Sequence, residues 1–180
     1  QNIPHLTIGY RGTINSPRLD GELLYQIISQ RPDYSFVFTG PEDDIFRRNR
    51  IHSLKNAYFT GQKKVDELPA YIAAYDVCIN PQMVNEITDG NYPLKIDEYL
   101  AMGKPTVATS THTMRNIFAG HTHLAINPEE WLAAIDRAVT EADDKELAKQ
   151  RIAFAETHSW GHSVKKIYEI IDSFLKKKTT

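Results

Sequence analysis

Residues 90–110 read "GNYPLKIDEYLAMGKPTVATS" and place a helix between a polar loop and an apolar strand. Pro93 fits the first helical position, where a missing N–H costs nothing. The backbone N–H groups of Tyr92, Leu94 and Lys95 then lie near the helix start. Free N–H groups and the positive end of the dipole together form an anion site. Lys95 stands in the first turn, where a cation opposes the dipole at a cost of roughly 0.3–1 kcal/mol unless an anion answers it. Glu98 follows three residues later on the same face. Its two carboxylate oxygens match the two vicinal hydroxyls of a ribose, and hydrogen bonds to a charged partner are worth about 1.5–3 kcal/mol each. A phosphate at the helix start with a ribose one turn along is the geometry of a bound nucleotide. The competing reading is a surface pair of Lys95 with Glu98, worth about 0.2–0.5 kcal/mol.

Outward from this stretch the chain alternates. Short apolar, β-branched runs at 5–10, 34–40, 56–61, 76–81, 105–110 and 122–127 read as strands. Helical spacing appears at 20–31, 65–75 and 93–102, with Asp66 as a cap for the second of these. The C-terminal third is helical over 129–142, 144–157 and 163–176, with Gly161 between the last two. Strands that are apolar throughout, alternating with helices, imply a parallel sheet covered on both faces. With right-handed crossovers the fold class is α/β, a doubly wound Rossmann-like parallel sheet of about six strands with a helical C-terminal third, in one domain over 1–180. Ligands bind such sheets beyond the carboxyl ends of the strands, so the loops at 11–19, 40–44, 61–65, 81–92 and 110–114 matter most.

Composition removes several function classes. The net charge of −2 supplies no field to draw in nucleic acid or an anionic membrane. Lys176, Lys177 and Lys178 read as a solvated helix end. The single cysteine, Cys78, forms no internal disulfide and sits in an apolar run as a small core residue. No Cys/His pair stands at zinc spacing, and no apolar run approaches the roughly 20 residues that span a bilayer. The chain opens without Met and enters a strand-like run almost at once, as expected of a piece of a longer protein.

The stretch "PLKIDEYLAMGKPTVAT" resembles the "PLKxxEYLAxGKPVVA" signature of bacterial glycosyltransferases of the group 1 family, which have the GT-B fold. The likeness covers almost the whole chain and matches the C-terminal, donor-binding half of that fold. "IGYRGTI" resembles its opening strand and first loop, "FVFTGP" its second strand, "NAYFTGQKKVDELPAYIAAYDVCINP" the run that holds the nucleotide base, and "HSWGHSVKKIYEII" its closing helix. The resemblance implies that Glu98 holds the ribose hydroxyls, and that Lys95 with the amides around Pro93 (Tyr92 and Leu94) holds the diphosphate. It implies that Gly12 and Thr13 let backbone approach the phosphates, and that Thr60, Gly61 and Gln62 flank the base. It further implies a metal-independent transfer with retention at the anomeric carbon, no cofactor beyond a UDP- or GDP-sugar as substrate, and polysaccharide biosynthesis in the bacterial cytoplasm. The partners implied are that donor and an N-terminal acceptor domain absent from this chain, with peripheral membrane association of the full-length enzyme.

Two departures stand out. Where many members carry a second acid eight positions before the ribose glutamate, this chain has Gly90, leaving Asp89 or Glu86 as candidates for a sugar contact. Where many carry an Arg and a Lys after the first strand, this chain offers Arg11 and Arg18 as candidates for a phosphate contact. The alternatives to a transferase half are a non-catalytic nucleotide-sugar-binding module and a sugar-nucleotide epimerase of the same architecture. The remaining polar residues read structurally. Asp43-Asp44 cap a surface turn, Arg47, Arg48 and Arg50 form a solvated face, and Ser110 and Thr111 act as helix caps. His121 and His123 have no carboxylate partner in sight, and His158 and Trp160 pack or cap at a helix junction.

Overall fold

The computed structural model describes residues 3–178, with side chains as far as Phe174, so the side chains of Lys176, Lys177 and Lys178 lie outside the described residues. Six strands form one sheet: β1 (Thr7–Arg11), β2 (Ser35–Thr39), β3 (Ala57–Gly61), β4 (Val77–Asn80), β5 (Thr106–Thr109) and β6 (His123–Ala125). Every pairing is parallel, in the order β3-β2-β1-β4-β5-β6. This is the doubly wound order the alternation predicts. The helices are α1 (Gly21–Ser29), α2 (Leu68–Ala74), α3 (Leu94–Ala101), α4 (Pro128–Thr140), α5 (Lys145–Thr157) and α6 (Trp160–Lys178).

Both faces of the sheet are covered, which is why the strands carry no polar alternation. Ile8, Tyr10, Phe36, Phe38, Val77, Ile79 and Val107 form a core with Leu24, Ile27 and Ile28 of α1 and Trp131 and Ile135 of α4. Val37, Cys78 and Ala108 form the opposite core with Ile72 of α2, Tyr75, and Ile96, Tyr99 and Leu100 of α3. Side chains cap the helices that flank the sheet. Asp20 accepts from the Leu23 N–H at 2.9 Å, and Asn127 from the Glu130 N–H at 2.9 Å.

Strand order reverses between β1 and β4, which pair through Ile8–Val77 and Gly9–Cys78. A crevice opens beyond their carboxyl ends, where such sheets bind ligands. The loops leaving these strands are tied together. The Met83 N–H donates to the Arg18 carbonyl at 2.9 Å, the Asn85 amide to the Pro17 carbonyl at 3.1 Å, and Leu19 bridges Gln82.

Local details correct several expectations. Asp66 is not a cap: the turn opens at Lys64, whose N–H donates to the Glu67 carboxylate at 2.9 Å. Pro93 stands one position before α3 as its N-cap residue, and the Ile96 N–H donates to its carbonyl at 2.8 Å. Gly161 lies inside α6, and Trp160 is 83% exposed instead of packed. His123 does have a carboxylate partner, with its Nε2 2.9 Å from Glu141. Arg50 is also less free than a solvated face suggests, because it pairs with Glu22 and lies 3.7 Å from the Tyr25 ring centroid. Asp43 caps a turn as expected, accepting from the Ser16 and Phe46 N–H groups at 2.8 and 2.6 Å. Cys78 is fully buried, and burial pushes its thiol pKa up. Among the described residues no helix is long and apolar enough to cross a membrane, and no group of three or more His, Cys, Asp or Glu could hold a metal ion.

Candidate functional site

The crevice at the switch point is a cleft of about 550 Å³, lined by Tyr10, Arg11, Gly12 and Thr13 from the end of β1 and by Tyr92, Pro93, Leu94, Lys95 and Glu98 from the start of α3. Asn15, Arg18, Gln82 and Asn91 complete it. Three cations, Arg11, Arg18 and Lys95, face this space against the one carboxylate of Glu98. Among the described residues nothing accepts from the backbone N–H of Tyr92, Leu94 or Lys95. The α3 start is therefore unplugged, and its orphan donors and dipole add to the positive field.

Lys95 and Glu98 do not pair with each other, so the surface-pair reading fails. The half-buried Lys95 ammonium donates to the Tyr10 hydroxyl at 2.8 Å and sits 4.3 Å from the Tyr10 ring centroid. Tyr10 in turn donates to the Thr13 carbonyl at 3.0 Å, which fixes the loop after β1. Burial, then the Arg11 and Arg18 charges, pull the Lys95 pKa down to about 7. Burial pushes the Tyr10 hydroxyl up, so it remains a protonated donor. Gly12 makes this packing feasible, since a Cβ there would stand 2.9 Å from Lys95 Nζ, and its φ of +137° is one that L side chains rarely adopt.

Glu98 is held from the other side. The Arg11 guanidinium Nη2 donates to Glu98 Oε2, and among the described residues nothing bonds Oε1. The Arg11 backbone is itself fixed, its N–H donating to the hydroxyl of the fully buried Tyr99 at 2.9 Å. Arg11, expected near phosphate, thus first meets the ribose candidate. Arg18 is exposed at the cleft rim. Tyr92 is tied down by its hydroxyl, which donates to Asp97 Oδ2 at 2.6 Å, while Asp97 Oδ1 lies 3.0 Å from His158 Nδ1. Burial, then this bond to Asp97, push the Tyr92 hydroxyl pKa up.

The other predicted residues fall elsewhere. Thr60 lines a separate hollow of about 430 Å³ with Thr7, Val37, Tyr71 and Tyr75. Its hydroxyl lies 2.9 Å from that of Thr39. Gly61 and Gln62 are exposed beyond β3. Asp89 Oδ1 accepts from the His112 N–H at 2.7 Å, and Glu86 is exposed. Neither acid lines the main cleft. Sequence reasoning missed Tyr10, Asn15, Gln82 and Asn91, which the crossing loops bring in. It also missed an apolar slot of about 260 Å³ on the far side of the Arg11–Glu98 pair, walled by Val65, Leu68, Pro69, Ile72, Ala101 and Met102.

Residues 17–141 match the family model described as glycosyl transferases group 1. The chain belongs to that family. The Bacillus subtilis (strain 168) protein TuaH, whose name assigns it to teichuronic acid biosynthesis as a glycosyltransferase, is 28% identical over 161 residues, covering 86% of this chain and 40% of TuaH. Among solved structures, sucrose-phosphate synthase from Thermosynechococcus elongatus superposes with a TM-score of 0.77 at 18% identity, over 98% of this chain and 47% of that one. HepE from Anabaena, solved in complex with UDP, gives a TM-score of 0.74 at 17% identity, over 93% of this chain and 49% of HepE. HepE has also been solved with UDP-glucose. The chain thus spans about half the length, or less, of these three relatives. The likeness to these structures fixes the fold of this group 1 chain as the Rossmann-like half the sequence predicts.

Proposed function

We propose that this chain is the donor-binding half of a glycosyltransferase that moves a sugar from a nucleoside diphosphate to a saccharide or lipid acceptor, with the acceptor domain supplied by the remainder of the parent protein. One observation carries the reading: three cations and the unplugged α3 start converge on a cleft whose single lining carboxylate stands one turn along the same helix. A sugar diphosphate, with two negative charges, matches the cations and the free N–H groups of Leu94 and Lys95. The free oxygen of Glu98 then meets the ribose. The flat base enters the apolar slot beside Leu68 and Met102, a change from the expected flank of Thr60, Gly61 and Gln62. HepE, of the same fold, binds UDP and UDP-glucose, which supports a sugar nucleotide as ligand.

In the transfer the diphosphate leaves with its electron pair, and Lys95, Arg18 and the α3 dipole offset the growing charge where a divalent cation would otherwise serve. The reading keeps retention at the anomeric carbon, a cytoplasmic setting and peripheral membrane contact of the parent. A thermal-shift screen of UDP-, GDP- and ADP-sugars tests it, since only a bound ligand raises the midpoint. A midpoint unmoved by all three would overturn the proposal. The second reading is a non-catalytic binding module. It is favoured by Gly90 and by Asp89, whose carboxylate is committed to the His112 N–H. Donor binding by the parent protein without transfer or donor hydrolysis would select it.

A further inference from the structure

Arg11 does not stand where a phosphate clamp is needed. It ends β1 on the ridge between the polar cleft and the apolar slot, and both spaces are lined by Arg11 and Glu98 together. Its peptide is locked by Tyr99, whose hydroxyl accepts from the Arg11 N–H at 2.9 Å. The guanidinium spends Nη2 on Glu98 Oε2, while the buried Nε finds no acceptor among the described residues. Glu98 is the more exposed partner, its side chain retaining 42% of its accessible surface against 21% for Arg11. An exposed glutamate on a helix turn samples several rotamers, and fixing it on binding costs entropy. A guanidinium anchored through its own backbone removes that freedom in advance.

Resting on the ribose role given to Glu98 above, we propose that Arg11 is a positioning residue for that carboxylate. It grips Oε2 and sets the plane of the group, so that Oε1 points free for the vicinal hydroxyls of a ribonucleotide. The specificity this confers is for ribose over deoxyribose. The same pair divides the cleft into a diphosphate side, with Lys95 and Arg18, and a base side, with Leu68 and Met102.

The test compares UDP with 2′-deoxy-UDP by calorimetry, using wild type, Arg11→Met, Glu98→Gln and the double variant. Loss of the Arg11 charge weakens both ligands alike through the diphosphate, and the affinity ratio cancels that effect. Wild type should prefer UDP by about tenfold or more, roughly one charged hydrogen bond. Arg11→Met should bring the ratio close to one, as should Glu98→Gln, and the double variant should go no further than either alone. Arg11→Lys keeps the charge without the planar fork and should restore only part of the preference. Unchanged thermal midpoints across the set would exclude a general loss of fold, and Arg11→Lys serves if Arg11→Met unfolds. If wild type prefers UDP and both Arg11 variants keep the full preference, the positioning role is wrong while the ribose role of Glu98 survives. If wild type binds UDP and 2′-deoxy-UDP equally, both roles fall together.

Discussion

Raising the pH from 7 to 8.5 should weaken sugar-nucleotide binding through one side chain. Burial and the neighbouring Arg11 and Arg18 charges hold Lys95 near pKa 7 in the empty cleft, against an ordinary value of 10.5. A diphosphate between Lys95 and the α3 start replaces the lost solvation with an opposite charge and raises that pKa again. Binding therefore draws in a proton wherever the empty site has released it. The site is half protonated at pH 7 and about 3% protonated at pH 8.5, so affinity should fall about 16-fold, or about 1.6 kcal/mol. Burial pushes the Tyr10 hydroxyl up beyond this window. The empty protein responds with the opposite sign. Its folded-state pKa lies below the unfolded value, so the unfolded chain binds more protons between pH 7 and 10.5, and the Lys95 contribution to stability rises with pH across that window. Calorimetry of UDP-glucose in buffers of different ionisation heat reads both quantities. Proton uptake should be about 0.5 at pH 7 and close to one at pH 8.5. Lys95→Met should abolish the slope. A wild-type affinity that stays flat from pH 7 to 8.5, with the fold intact, would refute the placement of the diphosphate against Lys95.

The same geometry sets three further outcomes. Glu98→Gln should weaken UDP by about 1.5–3 kcal/mol in calorimetry through the lost ribose contact, while inorganic pyrophosphate, which has no ribose and gains from the removed negative charge, should bind no more weakly than to wild type. Gly12→Ala should destabilise the fold by about 1–3 kcal/mol in urea, because φ at this residue is +137° and the new methyl meets Lys95 Nζ at 2.9 Å. Asn127→Ala, which removes the bond to the Glu130 N–H at the start of α4, should cost about 1 kcal/mol of stability and leave UDP affinity unchanged.

The sequence by itself determined the layers and the helix that matters. Apolar strands without alternation could only be covered on both faces. Proline, lysine and glutamate at 93, 95 and 98 marked a charged helix start without reference to anything distant, because helical spacing is a local property. Local spacing also misled. Lys95 and Glu98 are neighbours on one face, yet each is claimed by a residue of β1, Tyr10 and Arg11 respectively. The Arg11–Glu98 pair joins positions 87 apart in the chain, and only the β1–β4 pairing at the switch point brings them together. The apolar slot is likewise assembled from α2 and α3, each of which reads alone as an ordinary amphipathic helix. Tertiary structure therefore decided which charges meet, which lysine has its pKa drawn down and where an apolar slot opens beside the cleft. Burial and close approach set those properties, and neither is written in the spacing of residues along one helix.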